Sequence, residues 1–108
     1  MRVSIIAVDN VVSIDGETHC ASCEELIAQD IHAVQWHEDH GEIEFQTYWL
    51  ASEKRWDRKP NDLIEDFSEF EVYLERWREQ KVKDDAERKR RAAMTKYTWP
   101  VTEPNVRK

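Results

Sequence analysis

Apolar and polar positions alternate with a period of two through the first half of the chain and change to a helical period after residue 66. Residues 2–8, Arg-Val-Ser-Ile-Ile-Ala-Val, are apolar and β-branched and predict a strand. Asp9-Asn10 marks a turn, and Val11 to Ile14 predicts a second strand. Asp15-Gly16 suits a tight turn with positive φ at both central positions, after which Glu17 to His19 returns as a short third strand. The opening therefore predicts a small β-meander. Residues 22–29 predict one or two helical turns, with Ser22 and Glu25 spaced as a capping box and Leu26 and Ile27 as the apolar face.

The alternation resumes at His32-Ala33-Val34-Gln35-Trp36, where His32, Val34 and Trp36 are expected to share a face. It continues at Glu42-Ile43-Glu44-Phe45-Gln46, with Ile43 and Phe45 inward, and residues 37–41 read as the hairpin turn. Tyr48-Trp49-Leu50 extends this strand or opens another, and residues 51–62 read as a charged connection. From Asp66 onward, Phe67, Phe70, Tyr73, Leu74 and Trp77 fall on one helical face. No Gly or Pro follows until Pro100, so the helix is predicted over about 66–94. Its second half has only Val82 and Ala86 as apolar side chains between residues 78 and 91, so it should project or meet a partner. The expected architecture is α+β: a small antiparallel sheet, meander plus hairpin over about 2–50, packed by one long C-terminal helix. Residues 1–94 form one domain and 95–108, with Pro100 and Pro104, an extended tail.

Charge sharpens this picture. The net charge of -7 is the sum of an acidic body, -12 over residues 1–77, and a basic segment, +5 over 78–108. An acidic body repels phosphate and argues against nucleic-acid binding there. Arg88-Lys89-Arg90-Arg91 could touch phosphates, but Asp84, Asp85 and Glu87 lie one turn earlier and predict a salt-laced solvent helix. With 36% charged residues, no apolar run of membrane-spanning length and no signal-peptide pattern at the start, the expectation is a cytoplasmic protein.

The strongest local chemistry is His19-Cys20-Ala21-Ser22-Cys23. Cys20 and Cys23 have the spacing of a zinc knuckle, and His37 and His40 follow thirteen residues later. These four define a candidate zinc site and an alternative reading as a small zinc- or nucleic-acid-binding regulator. The histidine gap is shorter than usual and both histidines fall in a hairpin turn, so the reading preferred from the sequence has no cofactor. No catalytic residues are assigned: the chain has two Gly and no phosphate loop, and its serines lack a nucleophile-elbow context. Trp36, Trp49, Trp56 and Trp77 are too many for so small a core. Surface tryptophan is a common interface anchor, so Trp49 and Trp56, with Val82 and Ala86 on the helix, are the candidate protein-binding residues.

The strand Ile31-His32-Ala33-Val34-Gln35-Trp36, the strand Gly41-Glu42-Ile43-Glu44-Phe45, Lys59-Pro60-Asn61, and the helix start Ile64-Glu65-Asp66-Phe67-Ser68-Glu69-Phe70 with Tyr73-Leu74-Glu75-Arg76-Trp77 together resemble small tailed-bacteriophage and prophage proteins. Those proteins are described as tail-associated or tail-fibre assembly proteins. The resemblance covers about residues 1–77 and carries no catalytic signature. It implies a non-enzymatic tail protein that binds fibre or baseplate proteins, as a virion component or an assembly chaperone, with self-association open. It implies host cytoplasm during assembly, or the virion tail. Cys20-x2-Cys23 and the long charged helix fall outside the shared pattern.

Overall fold

A computed structural model describes residues 1–102, with side chains as far as Met94. Strands β1 (Arg2–Ile6), β2 (Val11–Ile14) and β3 (Glu17–Cys20) form the meander. A short helix α1 (Glu24–Ile27) leads to β4 (Ile31–His37), β5 (His40–Phe45), β6 (Thr47–Leu50), β7 (Arg55–Arg58) and β8 (Asp62–Ile64). A 3-10 turn at Ser68–Phe70 opens into α2 (Glu71–Thr102). The main sheet is antiparallel with order β3-β2-β1-β4-β5-β8, and β6 and β7 pair only with each other. The α+β class and the meander-plus-hairpin plan are as the alternation predicts.

Strict alternation sorts the sheet's two faces. Ile5 sits opposite Val12 on one side and Val34 on the other, and Val34 faces Ile43. These residues form the inner face, with Val3 and Trp36 beside them. The other face carries a polar row, Thr18, Ser13, Ser4, Gln35 and Glu42, that ends on Leu63. It remains partly open to solvent. The inner face is covered by Phe67 and Phe70 at the 3-10 turn and Tyr73, Leu74 and Trp77 from α2, all buried, so the predicted stripe is buried although its first two members precede the helix.

Local differences from the sequence reading have physical causes. Asp15 and Gly16 both take positive φ, as the tight turn requires. The predicted capping box does not form: Cys23, not Ser22, is the N-cap of α1, and the Glu25 carboxylate pairs with Arg76 instead. His32 is the extra residue of a bulge between Ile31 and Ala33, so it leaves the simple alternation with Val34. The β4–β5 turn is only Glu38-Asp39, and Gly41 lies within β5 opposite Trp36. A Cβ on Gly41 would stand 2.2 Å from the Gln35 carbonyl oxygen and 2.9 Å from the Trp36 ring. That close approach, rather than a turn, requires glycine there.

Residues 51–62 are not a plain connection, because they contain β7. The helix begins after a 3-10 turn in which the Asp66 carboxylate accepts from the Ser68 N–H (3.0 Å) and hydroxyl (2.9 Å). The helix spans the predicted stretch to Met94 and runs on to Thr102. Of the expected tail, residues 95–102 are therefore helical and 103–108 lie outside the described residues. The radius of gyration is 20.5 Å, against about 13 Å for a compact chain of this size, because α2 outruns the sheet.

Candidate protein-binding surfaces

Strands β5 to β8 are one long bent hairpin. Its base is the β5–β8 pair within the sheet, and its tip is the β6–β7 pair beyond it. The ladder breaks between the two at Gln46 and at 59–61. Gln46 turns aside, its N–H donating to the Asp30 carbonyl (2.9 Å) and its side-chain amide to the Ile31 carbonyl (3.3 Å). Pro60 on the returning strand has no N–H to donate. The tip is thus an arm held by its own four cross-strand pairs.

Trp49 and Trp56 are directly opposite on this arm. Their rings meet edge-on, with centroids 5.6 Å apart. They remain 51% and 64% exposed, and Tyr48 beside them is also exposed. Trp36 and Trp77, in contrast, lie in the core. The arm's charge is equally distinctive. Four of the six Lys/Arg in residues 1–77 are Lys54, Arg55, Arg58 and Lys59. Arg55 pairs with both acids of the arm, Glu53 (2.7 Å) and Asp57 (3.5 Å). Lys54 and Arg58 are left with no carboxylate partner among the described residues, and Lys59 stands 4.2 Å over the Phe45 ring. The arm is a basic aromatic finger on an acidic body.

The second surface is α2 beyond Trp77. Val82 is 68% exposed and Ala86 is exposed, so neither packs on the body. The helix is laced by Lys81–Asp85, Arg88–Asp85, Arg90–Glu87 and Arg91–Glu87. Asp84 does not pair with Arg88 as its spacing predicts, because it is committed elsewhere. Its carboxylate accepts from His19 Nδ1 at 2.5 Å, while Glu17 accepts from His19 Nε2 at 2.8 Å. His19 is the single buried polar residue among those described and stacks edge-on against Trp77. It faces inward because it sits opposite Val12.

The hydrogen bonds to Glu17 and then Asp84 raise the imidazole's pKa and favour a doubly protonated ring. Glu17 is lowered by its bonds to Lys81 and His19, and Asp84 by Gln80 and His19. Lys81 completes the node at 2.7 Å from Glu17, and the Trp77 indole donates to the Glu17 carbonyl (2.9 Å). A second clamp, Arg76, holds Glu25 with two parallel bonds (2.6 and 2.9 Å) and drives its carboxyl down to about 2. These two clamps fix where the helix leaves the body.

The four candidate zinc residues are not brought together. Cys20 ends β3 and His37 ends β4, three strand steps apart, or about 14 Å on spacing alone. They also lie at opposite ends of their strands: Cys20 is level with Ile6 and Ala33, whereas His37 is level with Arg2. Cys23 is buried, its thiol donating to the Ala21 carbonyl, and burial pushes its pKa up to about 11. His37 lies against Arg2, and His40 pairs with Asp39. Among the described residues no three His, Cys, Asp or Glu side chains group as a metal site. The arm's second strand escapes sequence detection because Arg55-Trp56-Asp57-Arg58 has a single apolar position. His19 could have been found as the inward position of β3.

Among the described residues no helix is long and apolar enough to cross a membrane. In comparisons with known proteins, no family model, curated protein or solved structure matches this chain.

Proposed function

We propose that this chain is a non-enzymatic protein-binding component of tailed-bacteriophage tails, docking on fibre or baseplate proteins in the virion or during fibre assembly. The observation that carries the binding role is the exposed Trp49–Trp56 pair on a free-standing arm. Rigid aromatic side chains left in solvent are the usual anchors of interfaces, and burying them on a partner removes a large apolar area from water. The phage setting is supported by the sequence resemblance over residues 1–77. The bare half of α2 adds a second element that reaches beyond the body.

Pull-down of tail proteins from a producing strain tests the binding role. The Trp49→Ala/Trp56→Ala double variant should lose its partner by at least about tenfold while keeping its fold. Unchanged capture removes the arm from the reading. A quantitative mass-spectrometric inventory of purified particles separates the two settings. A fixed copy number per particle makes it a virion component. Abundance in lysate with absence from particles makes it an assembly factor.

A further inference from the structure

The arm's charge and apolar character find their complement on this same chain. Leu63 is the most exposed large apolar residue described, at 83%. It ends the polar row on the open sheet face, directly opposite Glu42. Glu42, Glu44 and Glu65 surround it in sequence or register, and among the described residues none makes an ion pair; Glu42 accepts only the Asn61 amide (3.3 Å). The patch is therefore apolar at its centre with uncompensated negative charge around it. The arm is aromatic at its centre with Lys54 and Arg58 uncompensated. Within one molecule the two are parts of a single hairpin, base and tip, and the tip's cations make no ion pair with the base.

We propose that the arm docks on the Leu63 patch of a second copy of this chain, so that the protein self-associates reciprocally. Trp49 and Trp56 cover Leu63, while Lys54 and Arg58 meet Glu42 and Glu65. Because arm and patch belong to the same hairpin, one twofold contact uses both arms at once. A contact built this way is sensitive to salt, since its charges lie at the rim. The proposal rests on the reading of the arm as a docking surface and names its partner.

Sedimentation equilibrium of the full chain tests it by charge exchange. The wild type should dimerise, more weakly at high salt. Lys54→Glu/Arg58→Glu and, separately, Glu42→Lys/Glu65→Lys should each raise the dissociation constant by at least about tenfold. An equimolar mixture of the two variants should restore the dimer, because every arm then meets a patch of opposite sign. A wild type monomeric up to about 0.3 mM overturns the proposal, since that corresponds to no useful affinity. So does a mixture that fails to recover, or a dimer abolished by Val82→Glu and untouched by arm reversal, which would place the contact on the helix. Failure of the self-contact is separable from failure of tail-protein docking. A monomer whose tryptophan variant still loses its tail partner sinks only the self-contact. Restored dimers alongside unchanged tail-protein capture support the self-contact and sink only the docking role proposed above.

Discussion

The base and the tip of the 40–64 hairpin are made of similar material and meet different fates. Ile43 and Phe45 at the base are buried, while Tyr48, Trp49 and Trp56 at the tip stay exposed. The difference is not intrinsic preference, since the tip is the more aromatic of the two. It is reach: the base belongs to the main sheet, whose inner face the Phe67-to-Trp77 stripe covers, and among the described residues Trp49 and Trp56 at the tip stack only on each other. A two-stranded hairpin without a covering layer is marginal in water, so a tip this apolar makes physical sense with something else on it. The same contrast repeats within α2, where Tyr73, Leu74 and Trp77 are buried and Val82 and Ala86 are bare.

The largest effect that this comparison predicts is at the covering layer. Trp77→Ala should cost about 3–5 kcal/mol, read from urea denaturation, because it opens a cavity and also removes the donor to the Glu17 carbonyl. A loss under about 1 kcal/mol would mean that the helix is not the lid of the sheet where it crosses β3. Gly41→Ala should cost less, about 1–3 kcal/mol, by pushing its new methyl into the Gln35 carbonyl and the Trp36 ring. A neutral Gly41→Ala would show that the β4 backbone at Gln35 can shift together with the Trp36 ring and that the base is loosely packed.

How far the comparison was legible beforehand depends on which force sets each feature. The inner face of the sheet, the Asp15-Gly16 turn and the Phe67-to-Trp77 stripe were readable because periodicity and turn chemistry are local. The exposure of Trp49 and Trp56 followed from counting tryptophans against core size. What was not readable needed distance. Cys20, Cys23, His37 and His40 have suggestive spacing, but strand order leaves the His37–His40 pair three or more strands from Cys20 and at the opposite strand end. Asp84 left its helical partner for His19, sixty-five positions away in sequence, and no spacing rule points there. Gly41 looked like turn material because its real constraint, the Gln35 carbonyl and the Trp36 ring, comes from the neighbouring strand.

The His19 node gives a smaller effect with a defined sign. Its imidazole is raised above the ordinary 6.5, so its contribution is complete below that value and fades as pH rises through the folded value. Glu17 and Asp84 are lowered from 4.5 and 3.8, so theirs is complete above those values and fades in acid. The urea midpoint should therefore be highest between about pH 4.5 and 6.5 as far as this node is concerned. His19→Gln should flatten the alkaline side selectively. A wild type and His19→Gln that change in parallel above pH 6.5 would show that the helix root does not depend on the charged imidazole.

The smallest effect on global stability, and the sharpest on the comparison, belongs to the tip. Trp56→Ala removes an exposed cross-strand partner, worth about 0.2–1 kcal/mol to the arm itself. The sheet and α2 do not rest on the arm, so the urea midpoint should hardly move. Local opening should change instead: amide exchange at 48–58 should accelerate while exchange in β1 and β4 stays at its wild-type rate. If the midpoint falls as far as for Trp77→Ala, the tip is part of the core after all and its tryptophans are held for stability. If only the arm's amides respond, the tryptophans contribute almost nothing to the fold that displays them, and binding is what remains to account for their place at the tip.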